Sequence, residues 1–129
     1  MSVETAEDDL LTSAEHGLEV KFEPSDDGGT CILRLRGDVD VYSAPVLRGT
    51  IQHQLDIGCK YVVLDARRSD YFDSTGLGAL IGSLKSAKEC GATLEFIEHS
   101  AQLARILKVT GLIKSFPLMT PERRRRLDC

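Results

Sequence analysis

YVVLDARRSDYFDSTGLGALIGSL, residues 61–84, decides the fold. Its opening run is apolar until Asp65, as expected of a central strand buried on both faces. Its second half changes period. Leu77, Leu80, Ile81 and Leu84 recur at i, i+3, i+4 and i+7, the spacing of a helix packing on a sheet. Three small polar residues, Asp73, Ser74 and Thr75, stand where strand gives way to helix. One suffices as a cap. Hydrophobic stapling pairs the residue before the cap with the fourth helical residue. With Asp73 as cap the pair is Phe72 and Leu77; with Ser74 it is Asp73 and Gly78, which cannot pack. Asp73 is therefore the expected cap, accepting from the N–H of Thr75 or Gly76 and complementing the helix dipole. Ser74 falls on the first helical residue with its hydroxyl toward solvent.

The same helix carries a second stripe, Ser74, Gly78 and Gly82, spaced four apart. An interior glycine costs roughly 1 kcal/mol against alanine, so two on one face imply a close approach, either of a partner protein or of another part of this domain. The junction lies past the carboxyl end of a central strand, where open α/β sheets place their sites. A helix start tolerates a phosphate. On the residues alone a plain helix start is the favoured reading of Ser74, ahead of a phosphosite, although a phosphate there would leave the fold unharmed.

Outward from this segment, Leu18, Val20 and Phe22 alternate with Glu19, Lys21 and Glu23, and Cys31, Leu33 and Leu35 alternate with Arg34 and Arg36. Joined by the turn cluster PSDDGG, they predict an antiparallel hairpin. After GDVDVYSAP, Leu47, Ile51 and Leu55 predict a helix capped by Ser43, with Pro45 in its first turn and Gly58 at its end. Leu94, Phe96 and Ile97 mark another strand. SAQLARILKVTG predicts a helix capped by Ser100, facing inward through Leu103, Ile106 and Leu107, and ended by Gly111. SFPLM predicts a short last strand, held at an edge by Pro117. The expected fold is α/β: a mixed four- to five-stranded sheet packed with helices in the order β-β-α-β-α-β-α-β, with a parallel crossover from Tyr61 to Ile97. Residues 1–16 predict an acidic disordered tail with five carboxylates and no Lys or Arg, residues 17–119 the domain, and residues 120–129 a mobile basic tail.

Composition narrows the function. The chain has 129 residues and a net charge of −4, which argues against nucleic-acid binding. No apolar run reaches the ~20 residues that cross a bilayer, and the acidic start is unlike a secretory signal. A cytoplasmic protein without membrane contact is expected. Cys31, Cys59, Cys90 and Cys129 form no C-x-x-C pair, and His16, His53 and His99 are scattered, so no metal site or cofactor is expected. Ser74 lacks the G-x-S-x-G elbow, and the chain has no G-x-x-x-x-G-K-[ST] loop, which speaks against an enzyme. Arg123 to Arg126 read as a solvated tail, with binding of an acidic partner as the alternative.

FDSTGLGAL resembles the signature of the anti-sigma factor antagonists, the single-domain members of the STAS group. LRLRGDVDVYSAP resembles that family's second strand and its Gly-Asp/Glu-Leu-Asp turn, and ILKVTGLIKSFPL its last helix and strand. The likeness spans Leu18 to Met119. It implies a STAS-like fold and a switch without catalysis. In that family the unphosphorylated protein binds an anti-sigma factor, often also a serine kinase using ATP and magnesium, and frees a sigma factor for RNA polymerase. Phosphorylation releases the partner, and a metal-dependent serine phosphatase resets the switch. By this resemblance Ser74 is the phosphoacceptor. Asp73, Thr75 and Gly76 surround it, Asp40 contacts the partner, and Gly78 and Gly82 belong to the docking face. Asp38 is carried over less firmly, as it also shapes the turn. The alternative within the group is a STAS subunit of a stress-signalling scaffold or of a membrane transport complex.

Overall fold

The structure, a computed structural model, describes residues 17–25 and 28–128. The predicted acidic tail, residues 1–16, lies outside them. The order is β1 (Leu18–Pro24), β2 (Thr30–Val39), α1 (Ala44–Asp56), β3 (Tyr61–Phe72), α2 (Ser74–Glu89), β4 (Thr93–Glu98), α3 (Ala101–Val109), a 3-10 turn (Ile113–Ser115) and α4 (Pro121–Asp128). One four-stranded sheet is ordered β1-β2-β3-β4. β1 and β2 form the expected antiparallel hairpin, while β2–β3 and β3–β4 are parallel. The mixed α/β architecture is the one expected.

The alternation of each strand sorts its residues between two faces. Leu33, Leu35, Val62, Leu64, Leu94 and Phe96 point into the main core, where they meet Leu47 and Ile51 of α1, Leu80 of α2 and Leu103 and Leu107 of α3. Val62, Val63 and Leu64 are all fully buried, as a central strand requires. The opposite face carries only a small apolar cluster, Ile32, Val63, Ile97 and Met119. Beside it lies a band of charged residues. Glycines 58, 91 and 111 follow the three core helices with φ of 96°, 70° and 78°, the left-handed conformation that ends a helix.

Four expectations change. SFPLM contributes a single parallel bridge, Leu118 to Phe96, in place of a strand, because Pro117 has no N–H to extend a ladder. The C-terminal basic tail is helical: Pro121 suits a first turn, Glu122 complements the dipole, and the arginines are good helix formers. Arg124 reaches Glu98 at 3.9 Å. Ile81 is 42% exposed although its period places it with Leu80. The buried stripe of α2 is instead Gly76, Ala79, Leu80, Ser83 and Ala87. Small residues let α2 sit close to α1 and the sheet, and this turns Ile81 outward. Fourth, Ser43 makes no side-chain cap to α1; its hydroxyl ties the preceding turn instead, which Asp40 organises, as described below.

Candidate functional site: the ends of β2 and β3

The strand ends Val39 and Phe72 are neighbours across the β2–β3 ladder, and each leads into a helix start. Asp73 caps α2 as expected: its Oδ1 accepts from Gly76 N–H at 2.8 Å, and its carbonyl accepts from Leu77 N–H at 2.9 Å. Phe72 is fully buried in the core and Leu77 packs against that core, in line with a staple. The Asp73 N–H donates to the Val39 carbonyl at 3.1 Å. Gln102 of α3 brackets Phe72, accepting from its N–H and donating to its carbonyl, both at 3.0 Å. Sequence reasoning missed Gln102; only its place two residues after the Ser100 cap hinted that it turns toward the sheet.

Ser74 and Thr75 are exposed on the first turn of α2. Gly76 is buried. A Cβ there would collide with the Val39 carbonyl, so this glycine serves the close approach of helix to strand and is not presented to a partner. The two outer glycines divide the alternatives left open by the sequence. At Gly82 a Cβ would meet the Arg48 guanidinium of α1, an approach within the domain. Gly78 faces open space. With Ala44, Pro45, Arg48, Thr75 and Ala79 it lines a shallow groove between the starts of α1 and α2.

Asp40 organises the other helix start. Its Oδ1 accepts from the N–H groups of Tyr42 (3.0 Å) and Ser43 (3.1 Å), and its carbonyl accepts from Ala44 N–H at 2.8 Å. It is thus the working cap of the turn leading into α1. Ser43 is buried and ties the loop together, its hydroxyl donating to the Asp38 carbonyl at 2.8 Å and accepting from Asp40 N–H at 3.0 Å. Desolvation works upward on the Asp40 carboxyl, but the Ser43 and Tyr42 N–H groups and the Ser43 hydroxyl outweigh it and hold it below its ordinary value. Asp38 is exposed and shapes the turn through its carbonyl. Around these residues Val41, Tyr42 (72% exposed), Tyr71 and Ile81 present apolar surface to solvent.

The arrangement presents exposed hydroxyl and apolar side chains beside two helix starts. Among the described residues no group of three or more His, Cys, Asp or Glu stands together to hold a metal, and no helix is long and apolar enough to cross a membrane. Replacing Asp73 with alanine is expected to lower stability by about 1 kcal/mol through the lost cap, with Asp73→Asn nearly neutral. Urea unfolding midpoints of the two variants check this.

Comparison with known proteins gives the chain a family and its fold known relatives. The model of the STAS domain family matches residues 21–124. The anti-sigma-B factor antagonist of Bacillus subtilis (strain 168) is 36% identical over 80 residues, covering 62% of this chain and 72% of the relative. Among solved structures, an anti-sigma factor antagonist from Mycobacterium paratuberculosis superposes with a TM-score of 0.68 at 22% identity, covering 92% of this chain and all of the other. The Bacillus cell fate determinant SpoIIAA in its phosphorylated form superposes with a TM-score of 0.64 at 19% identity, over 81% of this chain and 95% of the other. The family match spans most of the sequence, and the chain belongs to the STAS domain family.

Proposed function

We propose that the protein is an anti-sigma factor antagonist controlled by partner switching. Unphosphorylated, it binds an anti-sigma factor that is also a serine kinase, and so frees a sigma factor for RNA polymerase. Phosphorylation of Ser74 releases the partner, and a metal-dependent serine phosphatase restores the binding form. The Bacillus subtilis relative, an antagonist of an anti-sigma factor, supports the role. The observation that carries the switch is the division of labour at the start of α2: Asp73 makes the cap, so the Ser74 hydroxyl is exposed and committed to no internal bond.

A phosphoryl group adds about −1.5 to −2 charges at neutral pH. At a helix N-terminus the dipole offsets part of that charge, so the fold survives. Against a docked partner, between Asp73 and Asp40, the same charge meets two carboxylates and loses its water. A 100-fold loss of affinity needs only about 2.7 kcal/mol. Asp40, Thr75 and Gly78 are the remaining contacts in this reading, with Val41, Tyr42 and Ile81 as the apolar rim. Asp38 and Gly82 lie at its margin.

The test is affinity capture from native lysate with wild type, Ser74→Ala and Ser74→Glu, followed by incubation of the captured material with magnesium ATP. Wild type and Ser74→Ala are expected to retain a kinase, and Ser74→Glu to lose it by tenfold or more. Mass spectrometry of the wild type should place the phosphate on Ser74. A phosphate found only at a site away from Ser74 and Thr75, or equal capture by all three proteins, would sink the proposal.

A further inference from the structure

The charged band on the sheet face away from the helices surrounds a cavity of about 540 Å³, within the size range of small-molecule sites. Its floor is a lattice of ion pairs. Arg34 grips both oxygens of Glu23 at 3.1 Å and donates to Asp65 Oδ2 at 2.6 Å. Arg67 grips both oxygens of Asp65 at 2.9 and 2.8 Å, and its N–H adds a third bond at 3.1 Å. These two arginines and two carboxylates largely offset one another, and Lys21 adds its charge beside Glu23.

The rim is different. Lys21, Arg36 and Arg68 line the same cavity with Glu19 as the one acidic residue among them. Among the described residues no ion pair joins Lys21, Arg36 or Arg68 to a carboxylate. Arg36 and Arg68 are direct neighbours across the β2–β3 ladder. Like charges so placed repel and destabilise a sheet. An irregularity in β3 creates this pairing. Between the Arg34–Asp65 and Arg36–Arg68 pairs, β3 has one residue more than β2. A regular ladder would set Arg67 opposite Arg36. The extra residue lets Arg67 serve Asp65 and brings Arg68 beside Arg36. Bulges of this kind occur next to functional sites, where they re-aim side chains.

We propose that this cavity binds a small, multiply charged oxyanion, a polyphosphate or phosphate ester, held between Arg36 and Arg68 with Lys21 at its edge. Arginine forks suit phosphate oxygens, and the saturated floor leaves Asp65 and Glu23 unable to compete for them. The site lies on the sheet face away from Ser74 and stands independently of the partner switch.

Calorimetric titration of the full chain with inorganic pyrophosphate at low salt tests this. One-site binding is expected, weakened at least tenfold by Arg36→Gln and by Arg68→Gln. Without ligand, each variant should unfold at the same temperature as wild type or higher, because the repulsion is relieved; this also shows that the variants fold. Binding unchanged in both variants would overturn the proposal. So would a response that chloride reproduces at equal ionic strength, or binding confined to vesicles of anionic phospholipid with none to pyrophosphate.

Discussion

Gly76→Ala is expected to destabilise the domain by about 2–3 kcal/mol, lowering the thermal midpoint by roughly 10 °C. An added methyl at this position meets the Val39 carbonyl oxygen and also its side chain. Neither can retreat easily, since Val39 is fully buried and its carbonyl accepts the N–H of Asp73. The first turn of α2 must lift away from β2, and the Asp73 cap is disturbed with it. Gly78→Ala provides the contrast. It faces open space in an exposed helix position, so it should raise stability by several tenths of a kcal/mol up to about 1. Differential scanning calorimetry of the two variants checks both signs. A neutral Gly76→Ala would mean that helix and strand are less tightly joined than described.

The other large effect is expected at Asp65, whose carboxylate receives bonds from both Arg34 and Arg67. Burial pushes this carboxyl up, but the Arg67 side chain and N–H, and then Arg34, outweigh it and bring it down to about 2 from an ordinary 3.8. That lowering corresponds to about 2 kcal/mol of stability. Since the folded value lies below the unfolded one, the contribution is complete above about pH 4 and is lost as pH falls through about 2. Asp65→Asn should therefore lower stability at pH 7 by about 2–3 kcal/mol, since it also leaves two arginines short of an acceptor. The gap between variant and wild type should close as the pH is lowered from 4 toward 2. Urea unfolding across that range is the measurement, and a gap independent of pH would exclude the assigned ion pairs as its source.

Much of this was legible in the sequence. The alternation of Leu18, Val20 and Phe22 against charged neighbours gave the hairpin, and YVVLD gave the central strand, because two-residue and continuous apolar patterns have few other readings. The staple argument placed the α2 cap on Asp73, since only Phe72 and Leu77 can pack. Where reading failed, the cause was tertiary. Ile81 has the period of a core residue, but the depth at which α2 sits is set by Gly76, Ala79 and Ser83, whose smallness a hydrophobic pattern ignores. Ser43 is a good cap by type, yet its hydroxyl is spent on the Asp38 carbonyl and the Asp40 N–H once the loop closes, and Asp40 serves the amides of Tyr42 and Ser43 just ahead of the helix. Arg34 and Asp65 are partners in the parallel β2–β3 register, and neither the pairing of these two strands nor its register leaves a local mark. Arg34 was visible as the polar member of an alternating strand; that it would meet Asp65 was not.

The contact between Gly76 and the end of β2 also limits how this sequence can change over generations. Most crowded core positions can be relieved from the other side, by a smaller neighbour. Here the obstacle is a main-chain carbonyl, which residue 39 presents whatever its side chain. No replacement at Val39 makes full room for a side chain at position 76. Variation at the start of α2 is therefore open at Thr75 and Gly78 and closed at Gly76, and descendants of this chain can recolour the exposed surface there without being free to reset how the helix is seated.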